Sequence, residues 1–425
     1  MASEKSLSLL RASLIFFLTS LMLGSAAMYV QFVVVSVLVI WCYRWNGLKE
    51  TIPAIIKYSR PAWVMLLLFA GIFITTLLTS EFVSLSELGE LKWLIFLPVF
   101  ALAFNSISLK SELRSIEKIA SVFLFVISLY SLIDSLYQMI TGENIGRLLL
   151  FGEATIAPNR GAGLLKNPIP FAHVVGSLFY IGMAGAFISF SMGRRKIAAI
   201  FSGLSLLFFL CVLTSFARGA WLGIAITALV SLTITPKVFR TANLIGLGIA
   251  TLLGVGMLIF NGTLFQRLVS AFDPDELSNS VRLHLWRSNF DMLVDHPFGI
   301  GFNANDILLP QKMEELNYPA ITLHSHPHNE FIDYAIATGF PGILLYLGAT
   351  IWLLVFTAKL LRRANFYGAT WETFLLTSSA LVQTFLNTCA LTDQFTTPGR
   401  FLICLAWAVP IAIAARNRNP RKLPT

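Results

Sequence analysis

"HSHPHNEFIDYAIATGFPGILLYLGATIWLLVF" runs from His324 to Phe356. Its head crowds three imidazoles, at i, i+2 and i+4, around Pro327. Its tail, from Phe331 to about residue 358, carries Asp333 as its only charge. A bilayer span takes about 20 mostly apolar residues, so the tail is long enough to cross a membrane. Gly339 is a good helix stop and Pro341 suits the first turn of a following helix. The part before Gly339 therefore has room to form a short helix of its own. A polar, histidine-rich segment meeting a span at its edge sets the question for the rest of the chain.

The whole composition has the same character. Of 425 residues, 56% are apolar and only 12% charged, and the mean hydropathy is +0.74. Soluble domains carry roughly a quarter charged residues. The chain reads as an all-α polytopic membrane protein with about 12 spans. They are expected near 9–27, 28–44, 62–79, 91–106, 115–140, 168–190, 196–214, 218–235, 241–260, 331–358, 371–390 and 399–416. The N-terminus has the shape of a signal peptide: Lys5 and Arg11, an apolar run, then small residues at 24–27. A second apolar run follows at once, which favours an uncleaved first hairpin.

Basic residues give the orientation. With the N-terminus in the cytoplasm, 21 of the 31 Lys and Arg residues fall on the inner side. That asymmetry puts both termini inside. The net charge of +9 then reflects attraction to the anionic inner leaflet and calls for no nucleic acid. Cys42, Cys211, Cys389 and Cys404 show no metal-like spacing and read as small apolar fillers.

The expected organisation is nine spans in 1–260, an outer loop at 261–330, three spans in 331–416 and a short basic tail at 417–425. Long structured loops in compact proteins are usually functional. Within this one, Ser280 to Val294 reads as a helix. Asn279 or Ser280 would cap it, His296-Pro297 would stop it, and Gly299 and Gly301 would form a turn. Leu285, Trp286, Met292 and Leu293 would supply its buried side.

Three readings stand for His324, His326 and His328: a metal site, polar residues solvated among headgroups, or a general base. An ordinary imidazole titrates near 6.5 and can accept a proton at neutral pH without tuning. His328 is the best base candidate, since the following helix and Asn329 can fix its orientation. Arg282 falls in the first turn of the expected loop helix, where the macrodipole disfavours a cation. Either it awaits an anion or it pairs with Asp273, Asp275 or Glu276. Arg287 faces differently and is a weaker candidate. Arg218, in a tight outer turn, should face a cavity with a partner or snorkel to the headgroups. Asp393 and Arg400 bracket the last outer turn and could pair with each other or line that cavity. Arginines suit phosphate oxygens. With no P-loop in the chain and nucleotides scarce outside the membrane, a lipid-linked phosphate is the natural anion.

Three stretches resemble the O-antigen ligase and O-antigen polymerase superfamily of bacterial envelope glycosyltransferases. They are "TSFARGAWLG" (Thr214–Gly223), "SVRLHLWRSNFDMLVDHPFGIGF" (Ser280–Phe302) and "HPHNEFIDYAIATGFPGIL" (His326–Leu344). The resemblance implies inverting, cofactor-free and metal-independent glycosyl transfer at the periplasmic face of the bacterial inner membrane. The implied donor is a glycan on undecaprenyl diphosphate, and the implied acceptor of a ligase is the lipid A-core oligosaccharide. It makes His328 the expected base, places Arg218 and Arg282 on the diphosphate, and loosely matches Asp393 to the family's acidic position. Arg287, His326 and Arg400 join the candidate substrate-binding set. Moderate length and one dominant outer loop favour ligase over polymerase, with protein O-glycosylation a third option. A transporter or lipid flippase is the alternative from another class. It would be expected to show repeats, broken spans and charges near mid-bilayer.

Overall fold

The computed structural model describes residues 4–79, 93–106, 115–151, 159–234, 248, 255–256, 262–270, 273, 276–302, 304–318, 326–366 and 370–418. The architecture they form is helical. In chain order the elements are α1 (Glu4–Leu23), α2 (Ser25–Tyr58), α3 (Arg60–Thr79), α4 (Trp93–Ser106), α5 (Ser115–Thr141), α6 (Ile145–Phe151), α7 (Pro168–Ser191) and α8 (Arg195–Thr214). Then come α9 (Arg218–Ile234), α10 (Gly262–Val269), α11 (Leu277–Asp295), α12 (Asn305–Glu315), α13 (Glu330–Phe366), α14 (Trp371–Cys389) and α15 (Thr397–Arg418).

Among the described residues, seven helices are long and apolar enough to cross a membrane, and two shorter apolar helices join them. Eleven of the twelve expected segments coincide with helices. The remaining one, 241–260, lies outside the described residues apart from 248, 255 and 256. The second span ends at Arg44 as expected: the apolar stretch that can cross a membrane is Ser25–Arg44, and beyond a kink there (φ 53°) α2 continues as a further helical stretch to Tyr58. One expectation needs adjusting. The fourteenth helix, expected as an ordinary span, is rich in Ser, Thr, Asn and Gln and is buried along most of its length. Protein, rather than lipid, surrounds it, which is how polar side chains are accommodated at such depth.

The core has α14 and α15 near its centre. Phe17, Phe32, Phe96, Phe100 and Phe401 cluster where α1, α2, α4 and α15 meet. Opposite the end that carries the site, Arg11 of α1 forms a buried ion pair with Glu117 of α5 at 2.7 Å. Such a pair fixes register strongly even where it adds little net stability.

The loop helices are attached to the bundle by backbone. Gly299 (φ 91°), Gly301 (φ 93°) and Gly339 (φ 67°) adopt left-handed conformations. Gly339 breaks α13 into a short first helix and a long second one. The turn after α11 docks onto this break through Ile300 N–H to Ile336 O (2.9 Å), Gly301 N–H to Ala337 O (3.0 Å) and Phe340 N–H to Pro297 O (2.9 Å). A Cβ on Gly299 would sit 2.6 Å from Ala337 O, and one on Gly339 would strike the backbone of Pro297 and Phe298. Two glycines thus allow two backbones to touch.

Alanine at Gly299 or Gly339 is expected to destabilise the fold by at least about 1–3 kcal/mol, from left-handed strain plus backbone overlap. Gly203→Ala, in open space on α8, should be neutral or stabilising by about 0.4–1 kcal/mol. Thermal unfolding of detergent-purified variants checks this. Equal behaviour of all three would show that the glycine contact does not hold the loop.

Candidate active site

Four helices begin at the rim of one cavity. Asn167 caps α7, its side chain accepting from Ile169 N–H. α8 ends at Thr214, and a turn of three residues leads to Arg218, the first residue of α9. α11 begins at Leu277, and Asn329 caps α13 by accepting from Phe331 N–H (3.0 Å) and Ile332 N–H (3.1 Å). The cavity, about 210 Å³, is lined by Arg160, Ile169, Phe216, Ala217, Arg218, Gly219, Arg267, Ser278, Arg282, His328 and Asp393. Each helix N-terminus carries roughly half a positive charge, so the backbone itself makes this space anion-seeking.

The structure brings together four of the residues singled out in the sequence: Arg218, Arg282, His328 and Asp393. Arg218 is nearly buried (9% exposed) and faces the cavity rather than snorkelling. Its guanidinium donates to Ser270 O (2.8 Å), Ser270 Oγ (3.1 Å), Asn279 Oδ1 (3.0 Å), Ser278 Oγ (3.2 Å) and Glu276 Oε2 (3.2 Å). Those acceptors belong to the loop, so Arg218 ties the start of α9 to the start of α11. Gly219 lets the start of α9 lie against the turn after α14, since a Cβ there would meet Thr392 and lie 2.8 Å from Asp393 Oδ2.

Arg282 needs a correction. α11 starts at Leu277, three residues earlier than expected, and its cap is Glu276, whose side chain accepts from Asn279 N–H. Arg282 therefore lies in the second turn, beyond the strongest dipole field. Among the described residues its partner is neither Asp273 nor Glu276, and Asp275 lies outside the described residues. It pairs with Asp393, 111 residues on, at 3.4 Å.

Asp393 and Arg400 hold different partners. Asp393 faces Arg282, while Arg400 Nε lies 3.9 Å from Glu330 Oε1. Burial pushes the Asp393 carboxyl up to about 6, against the opposing pull of Arg282. Above that pH Asp393 is an anion balancing Arg282, and below it the cavity gains one positive charge.

The histidine segment is held by its surroundings. His328 lines the cavity and has a left-handed backbone (φ 50°), unusual for a non-glycine residue. The Pro327 carbonyl accepts from Trp286 Nε1 at 2.9 Å. Asn329 Nδ2 donates to Leu391 O (2.9 Å), and Glu330 N–H to Ala390 O (2.9 Å). Glu330 Oε2 accepts from Phe395 N–H at 2.7 Å, and Gln394 Nε2 donates to Asp333 Oδ2 at 2.6 Å. The start of α13 is thereby tied to the turn between α14 and α15, which also carries Asp393. His326 packs edge-on against His328, ring centroids 4.2 Å apart, and stands behind it rather than on the cavity wall. His324 lies outside the described residues. Arg287 is exposed on α11 and does not line the cavity.

Two further cations line the cavity that sequence reading had not singled out. Arg160 donates to Ser215 O (3.1 Å) and Phe216 O (3.4 Å). Burial lowers it to about 10, and nearby Arg267 adds to that depression. Arg267, on α10, is also lowered by burial and then by Arg218. Both remain charged at neutral pH. The signal available for Arg160 was a lone arginine beside two glycines in "NRGAG", an outer loop between spans. Its placement depends on Gln138 of α5, whose Oε1 accepts from Ala162 N–H (3.1 Å), and on Gly161 N–H bonding Thr214 O (2.8 Å). Among the described residues four guanidiniums face Asp393 and Glu276, an excess of two positive charges whenever both acids are ionised.

Residues 203–347 match the family described as O-antigen ligase, which supports a place for the chain in the O-antigen ligase superfamily. That stretch contains Arg218, Arg267, Arg282 and His328, while Arg160 and Asp393 fall outside it. No curated protein matches the chain significantly.

Trp286→Phe removes the bond to Pro327 O while keeping an aromatic ring. It should cost about 0.5–1.5 kcal/mol and speed amide exchange at 328–329 by up to about tenfold. Hydrogen-exchange mass spectrometry of the peptide spanning these residues is the check. Unchanged protection would mean that α11 does not hold the histidine segment.

Proposed function

From the match to the O-antigen ligase superfamily over residues 203–347, we propose that the protein transfers a glycan from undecaprenyl diphosphate to the lipid A-core oligosaccharide. The observation that carries this reading is the shared cavity. A histidine, four arginines and a buried aspartate converge there from segments far apart in the chain. Phosphate binding and proton removal then occur within one small space.

In this reading His328 takes the proton from an acceptor hydroxyl. The oxygen attacks the anomeric carbon on the face opposite the diphosphate, inverting it. The C–O bond to the diphosphate breaks, and the electron pair leaves with the phosphate oxygen. Arg218 and Arg282, with the N-termini of α9 and α11, stabilise the charge that develops there. Donors already held in place cost no reorganisation as the charge grows. Asp393 keeps Arg282 aimed at the cavity, and Arg160 adds to the cradle. Cationic side chains meet the charge of the leaving group, so no step calls on a metal. Substrates with lipid tails would reach the site sideways, between helices, at the periplasmic face of the inner membrane.

The test is reconstitution of purified protein with a lipid-linked glycan, with chelator present throughout. Product on lipid A-core is expected. His328→Ala should lower kcat by about 10²–10⁴, the range for a lost general base. Arg282→Ala should lower it by about 10²–10³, as for a lost electrostatic donor. Unimpaired turnover by His328→Ala would remove that residue from the mechanism. Product formed only when a second lipid-linked repeat replaces lipid A-core would make the enzyme a polymerase.

A pH prediction follows from Asp393. A diester of diphosphate keeps its charge across the neutral range, so the enzyme supplies the titration. As pH falls through about 6, Asp393 takes up a proton and the cavity becomes more positive. Donor KM should therefore fall in the wild type as pH drops from 7 to 5, and in Asp393→Asn it should start lower at pH 7 and fall less steeply, by the share His328 alone supplies. A KM profile in the variant parallel to the wild type's would assign that titration to another group.

A further inference from the structure

We propose that the larger cavity next to the site seats the lipid-side phosphate of a polyprenyl diphosphate, with Arg267 as its ligand and the outer flank of α10 against the start of the lipid tail. This deepens the proposed function and rests on that reading of the smaller cavity.

The larger cavity, about 550 Å³, is lined by Asn159, Arg160, Phe216, Gln266, Arg267, Ser270 and Glu276. It shares Arg160, Phe216 and Arg267 with the smaller one. His328, Arg282 and Asp393 line only the smaller space. An anion that spans the shared wall has one end near the base and the other end away from it. A diphosphate has two linked phosphates, and only one of them is bonded to the reacting sugar.

Arg267 has capacity for such a ligand. One of its Nη groups lies 3.5 Å from Glu276 Oε1. Its Nε–H is buried and has no acceptor among the described residues. A buried donor ordinarily has a partner, so an acceptor from outside the chain is the natural one. Arg218 differs, with five acceptors already in place. Asn159 (φ 63°) and Phe216 (φ 53°) also line this cavity with left-handed backbones, a strain that tends to gather where ligands bind.

α10 itself suits an amphiphile. Gln266 and Arg267 reach the cavity wall. Phe265 and Val269, one turn apart, are 53% and 52% exposed. One short helix thus offers a cation to the head group and an apolar strip beside it. A polyprenyl diphosphate has this arrangement of charge next to hydrocarbon.

The lipid-side phosphate keeps all its bonds during transfer. A residue that holds it binds ground state and transition state alike, and its loss raises KM with kcat little changed. Arg218 and Arg282, beside the departing phosphate, should instead act on kcat. This split separates the inference from the function it rests on.

The experiment uses the full-length reconstituted protein, with farnesyl diphosphate and inorganic diphosphate as inhibitors. Arg267→Gln is expected to raise donor KM about tenfold, the scale of one lost charge-assisted bond, with kcat within about twofold. It should weaken both inhibitors, and Arg267→Lys should restore most of the loss. Phe265→Ser should weaken farnesyl diphosphate and leave inorganic diphosphate unaffected. Gln266→Arg, which adds a cation to the same wall, should strengthen both inhibitors even if Arg267→Gln fails to fold. Unchanged KM in Arg267→Gln, a fall in kcat alone, or indifference of both inhibitors to Gln266→Arg overturns the assignment. Loss of product in His328→Ala would still stand on its own.

Discussion

Mutual repulsion among partly buried guanidiniums is the constraint around which the site end of this protein is organised. Two like charges 4 Å apart repel by about 4 kcal/mol at the effective dielectric of a partly buried site. Arg160, Arg218, Arg267 and Arg282 line one cavity of about 210 Å³. Four helix N-termini add their partial charges to the same space. The protein supplies two carboxylates, from opposite sides. Glu276 bridges Arg218 and Arg267, and Asp393 meets Arg282. Among the described residues neutralisation stops there, and the remaining positive charge is the feature a phosphate-bearing ligand would complete.

The same ion pairs explain why the loop sits where it does. α11 is held by contacts of different chemistry, the Arg282–Asp393 ion pair among them. Its N-terminus is gathered by Arg218, its middle reaches Pro327 through Trp286, and the turn after its C-terminus is bonded to the Gly339 break. Leu285, Met292 and Leu293 supply an apolar face beneath these contacts. Hydrophobic burial holds the helix down, but it is non-directional. The polar contacts choose the rotation that turns Arg282 toward Asp393 and leaves Arg287 exposed.

Much of this was legible in the sequence, and the limits have physical causes. Apolar runs mark helices whatever their neighbours, so the positions of eleven helical segments could be read directly. Gly339 and the Gly299–Gly301 turn were readable because few residues other than glycine adopt those backbone angles. Arg218 was conspicuous because a charge in a tight turn between spans is costly. Partners were not legible. Arg282 had three acids close by in sequence, yet its partner among the described residues comes from the turn between α14 and α15. The start of α11 was misjudged because Asn279 and Ser280 are better capping types than Glu276. Asn279 is drawn into the helix instead, where its side chain accepts from Arg218 and donates to Ser270 O and Asp273 O. Arg160 carries only the weak local mark of two nearby glycines. Its role depends on Gln138 and Gly161 folding its loop against α5 and α8, a tertiary fact.

Satisfied arginines and receptive ones have different consequences for binding. Arg218 has acceptors on every side, so a phosphate approaching it must compete with Glu276, Ser278 and Asn279. Competition of this kind lowers affinity but keeps the side chain fixed in the absence of ligand, which is the condition for preorganised charge stabilisation. A freely mobile arginine would spend binding energy on its own ordering. Glu276 is the acceptor whose displacement matters most, because it also caps α11. A phosphate that takes its place on Arg218 and Arg267 would free this carboxylate while leaving Asn279 to hold the helix start. Glu276 would then couple phosphate binding to the start of α11, since it caps that helix and pairs with both arginines.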